Sequence, residues 1–263
     1  MYDLLFIGAG KMATAIAAGM TAKGFDANRI AAFDVDQKNA DAFFKKTKIE
    51  CFTNSFTSIV EQSRAVLIAV KPQNLSDAVT GTMRDKLVIS IVAGVSIAKL
   101  NNLSKSQHIV RVMPNTPALI GEGATAYAMT ANVTDTERQF AQKILNTIGL
   151  AIELDEKHLD TVTALSGSGP AYVFEFIQAL TDGAVAEGLP RDIALTLAVQ
   201  TIIGSAKMVK ETKNHPTVLR DQVTSPGGTT IRALEALAEN NFANSVIKAV
   251  RAAAERSREL GKI

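Results

Sequence analysis

Strand patterns alternate with helical ones through the first half of the chain and give way to helices alone in the second. That order predicts an α/β domain with a doubly wound, mostly parallel sheet, followed by an all-helical domain. Three observations carry the prediction. Continuous apolar runs such as Ala65 to Val70 (AVLIAV) and Leu87 to Val92 (LVISIV) suit parallel strands covered on both faces. The run Asp3 to Ile7 breaks at once on Gly8-Ala9-Gly10-Lys11-Met12-Ala13 and restarts as a small-residue helix, Thr14 to Met20. Beyond Asp155 no period-two β-branched run remains, only long helical patterns. The expected division is 1–155 for the sheet domain and 156–263 for the helical one, with no internal repeat or low-complexity linker.

The elements follow in order. A strand that breaks on glycine and restarts as a helix is either an ordinary β-α turn or the phosphate turn of a Rossmann-like, dinucleotide-binding βαβ unit, and the strand before it, the helix after it and the acid ending the next strand favour the second. Gly8 lets the chain turn sharply, and Gly10 lets the backbone approach a pyrophosphate with no Cβ in the way. Ala13 replaces the third glycine and still permits close packing of helix on strand, while the helix start faces the anion with free N–H groups. Ile30 to Asp34 is a second strand ending in an acid. Asp34 lies about 24 residues after Gly10, near the spacing at which a carboxylate meets a ribose 2′-hydroxyl. Gln37 to Lys46 reads as a helix, Ile49 to Phe52 as a short strand, and Ser55 to Ser58 as a helix start with Asn54 before it. The run Ala65 to Val70 meets Lys71-Pro72, where proline stops the strand and opens a helix. Ile109 to Met113 is a strand closing on Pro114-Asn115-Thr116-Pro117; Ala124 to Met129 and Leu150 to Leu154 are further strands around a helix from Asp135 to Ile148. In the second half Pro170 opens a helix ending at Gly188, and Pro190 opens one reaching Thr212. Another begins after Gly227-Gly228, and the last runs from Asn241 to Leu260, with Arg251 and Glu255 placed to pair four residues apart.

Composition bounds the function. The 263 residues are 47% hydrophobic, enough for a substantial core. A net charge of +2, with Lys and Arg scattered, offers no basic field for nucleic acid. Cys51 is the single cysteine, so an internal disulfide is excluded, and its strand-like surroundings favour a buried apolar role over a nucleophile. No apolar run is expected to span a membrane, because Glu175 breaks the richest one, and the first strand leaves no room for a signal peptide. A soluble cytoplasmic protein is the expectation. The helices Ile193 to Met208 and Ala171 to Leu180 are apolar on nearly every side and must be buried on nearly every side, which predicts packing against a second copy of the chain.

Ligands of open α/β sheets lie beyond the carboxyl ends of the strands, and those ends carry Gly8-Ala9-Gly10, Asp34, Lys71-Pro72, Ala93-Gly94 and Asn115. Ala69-Val70-Lys71 is expected along the nicotinamide-side ribose, with a solvated loop lysine as the alternative for Lys71. Asn54 either faces the adenine or serves a helix cap. The second candidate stretch is Val223 to Ile231 (VTSPGGTTI). Two glycines and two threonines at a helix start offer bare N–H groups, two hydroxyls and a dipole end, which suits a small carboxylate. Ser166-Gly167-Ser168-Gly169-Pro170 is a similar junction, open between backbone packing and ligand contact. His108, His158 and His215 stand apart without metal spacing, and no metal site is expected.

With FIGAGKMA, AVKP, VMPNTPAL, LSGSGPAYVFEFIQAL, GSAKMV and, most specifically, DQVTSPGGTTIRALE in that order, the whole chain resembles the Δ1-pyrroline-5-carboxylate reductases, which make proline in its last biosynthetic step. The resemblance implies an N-terminal dinucleotide-binding domain, a helical domain that interlocks with a partner subunit as a homodimer, and rings of dimers in many members. It places Thr229 and Thr230 at the substrate carboxylate, beside the bare N–H groups that the helix start at Gly227 and Gly228 offers, with Thr230 the catalytic candidate that hydrogen-bonds the ring nitrogen. Glu156 matches a position near the partner subunit's substrate pocket, and Gln222 one that reaches towards the cofactor. The cofactor implied is NADPH or NADH. The family usually prefers NADPH and often has hydroxyl or basic residues after the second strand, whereas this chain has Phe33-Asp34-Val35-Asp36-Gln37-Lys38. Two other readings fit less well. A β-hydroxyacid dehydrogenase is expected to carry a lysine at the SGSGPAYVFEF junction, which has none, and a sensor without turnover leaves two substrate-like helix starts without purpose.

Overall fold

The computed structural model of the chain describes residues 1–79 and 83–261. One sheet holds β1 Tyr2–Ile7, β2 Ile30–Phe33, β3 Glu50–Phe52, β4 Ser63–Ile68, β5 Leu87–Ser90, β6 Ile109–Met113, β7 Gly123–Met129 and β8 Gly149–Glu153, in the order β3-β2-β1-β4-β5-β6-β7-β8. Every strand expected from the apolar runs is present, close to its expected bounds. All neighbours are parallel except β6 and β7. Only the short 3-10 turn Thr116–Ile120 separates those two, and without a crossover helix the chain returns antiparallel. Because β1 lies between β2 and β4, the winding reverses there, and a crevice opens at the carboxyl ends.

Alternation along β1 shows how the sheet is covered. Leu4 and Phe6 face one layer with Ile16, Met20, Phe43 and Ile144, while Leu5 and Ile7 face the other with Val60, Leu75 and Leu100. Those side chains come from α1 Lys11–Ala22, α2 Gln37–Thr47, α3 Phe56–Glu61, α4 Leu75–Ala78, α5 Ile97–Ser104 and α6 Asp135–Leu145. Each fully buried large side chain contributes roughly 1.5–3 kcal/mol. Small residues set the approach of α1, with Ala13 and Ala17 wholly buried. A Cβ on Gly19 would stand 2.9 Å from the Thr147 carbonyl oxygen, so a larger residue there would push α1 off the sheet layer.

By internal contacts the chain forms two units, Met1–Ser168 together with the end from Ala253 onward, and Gly169–Ala252. The stretch from Glu156 to Ser168 and the last turns of the final helix, grouped by sequence with the helices, thus pack with the sheet. The reasons are local. The short helix α7 Leu159–Val162 buries Leu159 against Ala126 and Ala128 of β7. Asn115 Nδ2 donates to the Ser166 carbonyl (3.0 Å), and Ser257 Oγ donates to Asp160 Oδ1 (2.7 Å).

The second unit contains α8 Gly169–Ala186, α9 Arg191–Thr212, α10 Pro216–Gln222, α11 Thr229–Glu239 and most of α12 Phe242–Leu260. A turn at Gly188, with φ +93°, joins α8 to α9, and Arg191 pairs with Asp182 (2.6 Å) beside it. Two expectations are corrected. Arg251 and Glu255 form no ion pair; Arg256 pairs instead with Glu259 (2.8 Å), since several spacings of opposite charge compete along one exposed face. And α9 is long and apolar enough to cross a membrane by length and composition, with mean hydropathy 1.3 in its richest window. Its mild polar residues, Thr196, Gln200 and Thr201, interrupt the run without lowering its average enough.

Candidate active site

The glycine turn has the geometry its sequence implies. Gly8 adopts φ +97°, and a Cβ there would lie 2.8 Å from the Ala69 carbonyl oxygen, so only glycine fits between β1 and β4. Gly10 is the N-cap of α1 in extended backbone, no side chain caps the helix, and nothing lies within 4 Å of where its Cβ would be. Bare N–H groups at a helix start therefore face open space, as an incoming pyrophosphate requires. Lys11 is exposed and Met12 half-buried at the same helix start.

Neighbouring strand ends complete the rim. Asp34, just past β2, accepts from the Ala9 N–H on Oδ2 (2.7 Å) and from the Asp36 N–H on Oδ1 (2.9 Å). Asn54, past β3, is exposed and accepts from the Ser55 hydroxyl (3.1 Å); it caps nothing, since the N-cap of α3 is Ser55, with no side-chain cap bond. Ala69 and Val70, past β4, are half-buried, and Lys71 is exposed. Past β5, Ala93 is exposed and Gly94 turns with φ +74° against the Leu260 end of α12. Five parallel strand ends, those of β1 to β5, thus bring together the residues expected at the cofactor other than Asn115 and Gln222. A hollow of about 490 Å³ lined by Lys23, Phe25 and Lys143 lies at the far end of α1 and is no part of this rim.

Asn115 is different. It is buried, and both ends of its amide are engaged, Nδ2 with the Ser166 carbonyl and Oδ1 with the Ala124 N–H (2.9 Å). Its side chain ties β6 to β7 and to the loop before α8. Glu156 is likewise engaged within its own unit: Oε1 accepts from the Ile97 N–H (2.7 Å) and from Arg111 (2.8 Å). Arg111 went unread in the sequence although a cation inside an apolar strand signals a buried partner. Together they brace the start of α5 against β6.

In the second unit, Gly227 takes φ +69° and Gly228 is the N-cap of α11 with no side-chain cap bond. A Cβ on Gly228 would collide with Ser225 Oγ at 2.3 Å, which fixes the small residue. Thr224, Thr212 and Thr201 return their hydroxyls to carbonyls one turn back, whereas Thr229 and Thr230 make no such bond. The start of α11 therefore presents two free hydroxyls beside uncapped N–H groups. Gln222 ends α10 and is exposed.

A phosphate turn at the switch point, an acid after β2 and a separate helical unit define an NAD(P)-dependent oxidoreductase. The comparisons agree. Residues 3–94 match the family described as NADP oxidoreductase, coenzyme F420-dependent, and residues 156–260 match pyrroline-5-carboxylate reductase dimerisation. The chain is 43% identical to a pyrroline-5-carboxylate reductase of Arabidopsis thaliana, covering 98% of this chain and 95% of that one. Its fold superposes on the pyrroline-5-carboxylate reductase of Coxiella burnetii with a TM-score of 0.91 at 35% identity, covering 100% and 99% of the two chains. The Plasmodium falciparum pyrroline carboxylate reductase, solved with NADP bound, gives 0.88 at 35% identity over 99% and 98%. The chain belongs to the pyrroline-5-carboxylate reductase family.

Proposed function

We infer that this chain reduces the C=N bond of 1-pyrroline-5-carboxylate to give L-proline. The observation that carries the reading is the pair of uncapped helix starts, one shaped for a pyrophosphate at Gly10 and one with free Thr229 and Thr230 hydroxyls at Gly228. Bound NAD(P)H supplies the hydride for the C=N carbon. Gly8, Ala9, Gly10, Lys11 and Met12 hold its pyrophosphate, Asp34 and Asn54 its adenosine side, and Ala69, Val70, Lys71, Ala93 and Gly94 its nicotinamide side. Asn115 and Glu156 act as braces of that rim, through the bonds each already makes.

The start of α11 holds the ring carboxylate with the N–H groups of Gly227 and Gly228 and the hydroxyl of Thr229. That fixes the ring face presented for reduction and holds the reacting atoms close. Thr230 orients the ring nitrogen or passes it a proton from water. A protonated imine is already electrophilic, so no strong acid is needed. The test compares 1-pyrroline-5-carboxylate with 1-pyrroline, which lacks the carboxylate. The first should be reduced far more efficiently; equal kcat/KM for both would remove the carboxylate-binding role from α11.

The apolar faces of α8 and α9 support self-association as an interlocked homodimer. Phe174 is 62% and Leu197 55% exposed, and among the described residues of α9 only Ala194 and Ala198 are buried. A second copy, rather than a membrane, is the occupant we assign to these faces, in keeping with a cytoplasmic enzyme. Solution mass decides it: at least twice the 28.0 kDa of one chain is expected, a higher multiple would indicate rings of dimers, and a lone chain would overturn the assignment.

A further inference from the structure

We propose that the turn between β2 and α2 makes this enzyme select NADH over NADPH. The proposal takes from the reading above only that the glycine turn is the cofactor site. After β2 the chain runs Asp34-Val35-Asp36-Gln37-Lys38, and three of its five N–H groups are already engaged, two of them by the turn's own carboxylates. Asp34 N–H donates to the Phe52 carbonyl (3.1 Å), Asp36 N–H to Asp34 Oδ1 (2.9 Å), and Lys38 N–H to Asp36 Oδ1 (2.9 Å). A turn that binds a 2′-phosphate needs free donors and positive charge. Here the chain's own carboxylates sit where that anion would seek its N–H partners, and Lys38, exposed and in no ion pair, is the single cation on the turn.

A ribose 2′-hydroxyl meets the opposite situation. Asp34 accepts from the Ala9 and Asp36 N–H groups at 2.7 and 2.9 Å, while Asn39 Nδ2 reaches both of its oxygens only at 3.4 Å, a long contact that a hydroxyl donor can displace. A phosphate carries about −1.5 to −2 charge at neutral pH and presents only acceptors there. Two carboxylates facing it repel it, and the repulsion weakens with salt. The Ala9 contact adds a further consequence. The carboxylate that reads the ribose also holds the glycine turn, so a charge-removing change must keep an acceptor at residue 34.

The test titrates the purified full chain with NADH and with NADPH, following nicotinamide fluorescence. NADH should bind at least tenfold more tightly at low ionic strength, with the ratio narrowing as salt is raised. The double variant Asp34→Asn with Asp36→Ser keeps an acceptor for the Ala9 N–H and an N-cap for α2 while removing both charges. Its NADPH-to-NADH affinity ratio should rise tenfold or more. Should that variant fail to fold, Asp36→Ser alone, which spares the Ala9 contact, should raise the ratio by roughly threefold, one charge accounting for about half the effect on a logarithmic scale. NADPH bound as tightly as NADH by the natural chain, or a ratio unmoved by a folded variant, would overturn the proposal. Turnover separates it from the function itself: a chain that binds NADH selectively but never reduces 1-pyrroline-5-carboxylate sinks the reductase reading and leaves the selection standing. A chain that reduces this substrate better with NADPH does the reverse.

Discussion

Gly8 and Gly10 stand two positions apart in one turn, yet alanine at each should fail in a different way. At Gly8 the backbone takes φ +97°, and an added Cβ would lie 2.8 Å from the Ala69 oxygen and 2.9 Å from its carbonyl carbon. Those are backbone atoms of a central strand end and cannot swing aside. The left-handed conformation costs an L-residue about 1–2 kcal/mol, and forced overpacking typically about 1–3 kcal/mol, so Gly8→Ala should lose about 2–5 kcal/mol. At roughly 2–4 °C per kcal/mol for a chain of this size, the thermal midpoint should fall by about 4–20 °C. At Gly10 the backbone is extended and nothing lies within 4 Å of an added Cβ. Alanine there stiffens the unfolded chain by about 0.4–1 kcal/mol and is a poorer N-cap by a similar amount, so stability should stay within about 1 kcal/mol of the natural chain. Its methyl would occupy the space a pyrophosphate needs, and cofactor affinity should drop tenfold or more, about 1.4 kcal/mol. Calorimetry and cofactor titration on both variants give the answer. Unaltered cofactor affinity in a folded Gly10→Ala variant would show that the open space above the turn is not the pyrophosphate site.

Four further outcomes are expected. Thr230→Ala should reduce kcat/KM for 1-pyrroline-5-carboxylate by roughly tenfold or more, with Thr230→Ser restoring most of it; unchanged kinetics would remove Thr230 from the chemistry. Burial, and then the nearby charge of Asp34, push the Cys51 thiol up to about 12, so a thiol reagent at pH 8 should label it only after denaturation. Rapid labelling of the native chain would contradict that placement. The Thr125 hydroxyl is buried with no hydrogen-bond partner, so Thr125→Val should stabilise the protein by about 1 kcal/mol, roughly 2–4 °C in thermal midpoint; a loss of stability would mean that the hydroxyl is satisfied. Burial would raise the Glu137 pKa, but hydrogen bonds from His108 and Thr134 outweigh it and hold it below the ordinary carboxylate value. Its stabilising contribution is present above the unfolded pKa of about 4.3 and fades as pH falls through the lower folded value. The Glu137→Gln variant should therefore lag the natural chain in thermal midpoint at pH 7 and approach it near pH 3, and a constant gap would exclude the ionised Glu137 carboxylate as the cause.

Much of the fold was legible because the local signals are unambiguous. A continuous run such as AVLIAV has few uses besides a strand covered on both faces, and a glycine turn between strand and helix has few uses besides close approach to an anion. The direction of β7 was not legible, since Ala124 to Met129 reads the same either way and the absence of a crossover helix decides it. Nor were the bonds that engage Asn115 and Glu156, because each depends on residues far along the chain: Ser166 for the first, Arg111 for the second. Asn115 was read as a cofactor contact because it is a polar side chain just past a strand, and Glu156 as a pocket residue through the family resemblance. Helix α9 marks a limit of another kind. Apolarity on all sides says that a helix must be covered, and length and composition alone do not say by what.

The most direct test of the account follows oxidation of NADH and of NADPH side by side with 1-pyrroline-5-carboxylate, with proline quantified as product. Substrate-dependent oxidation yielding one proline per cofactor, with NADH the better donor, is the expected result. Folded, self-associated protein that binds the cofactor yet forms no proline with either donor would contradict the assignment at its centre.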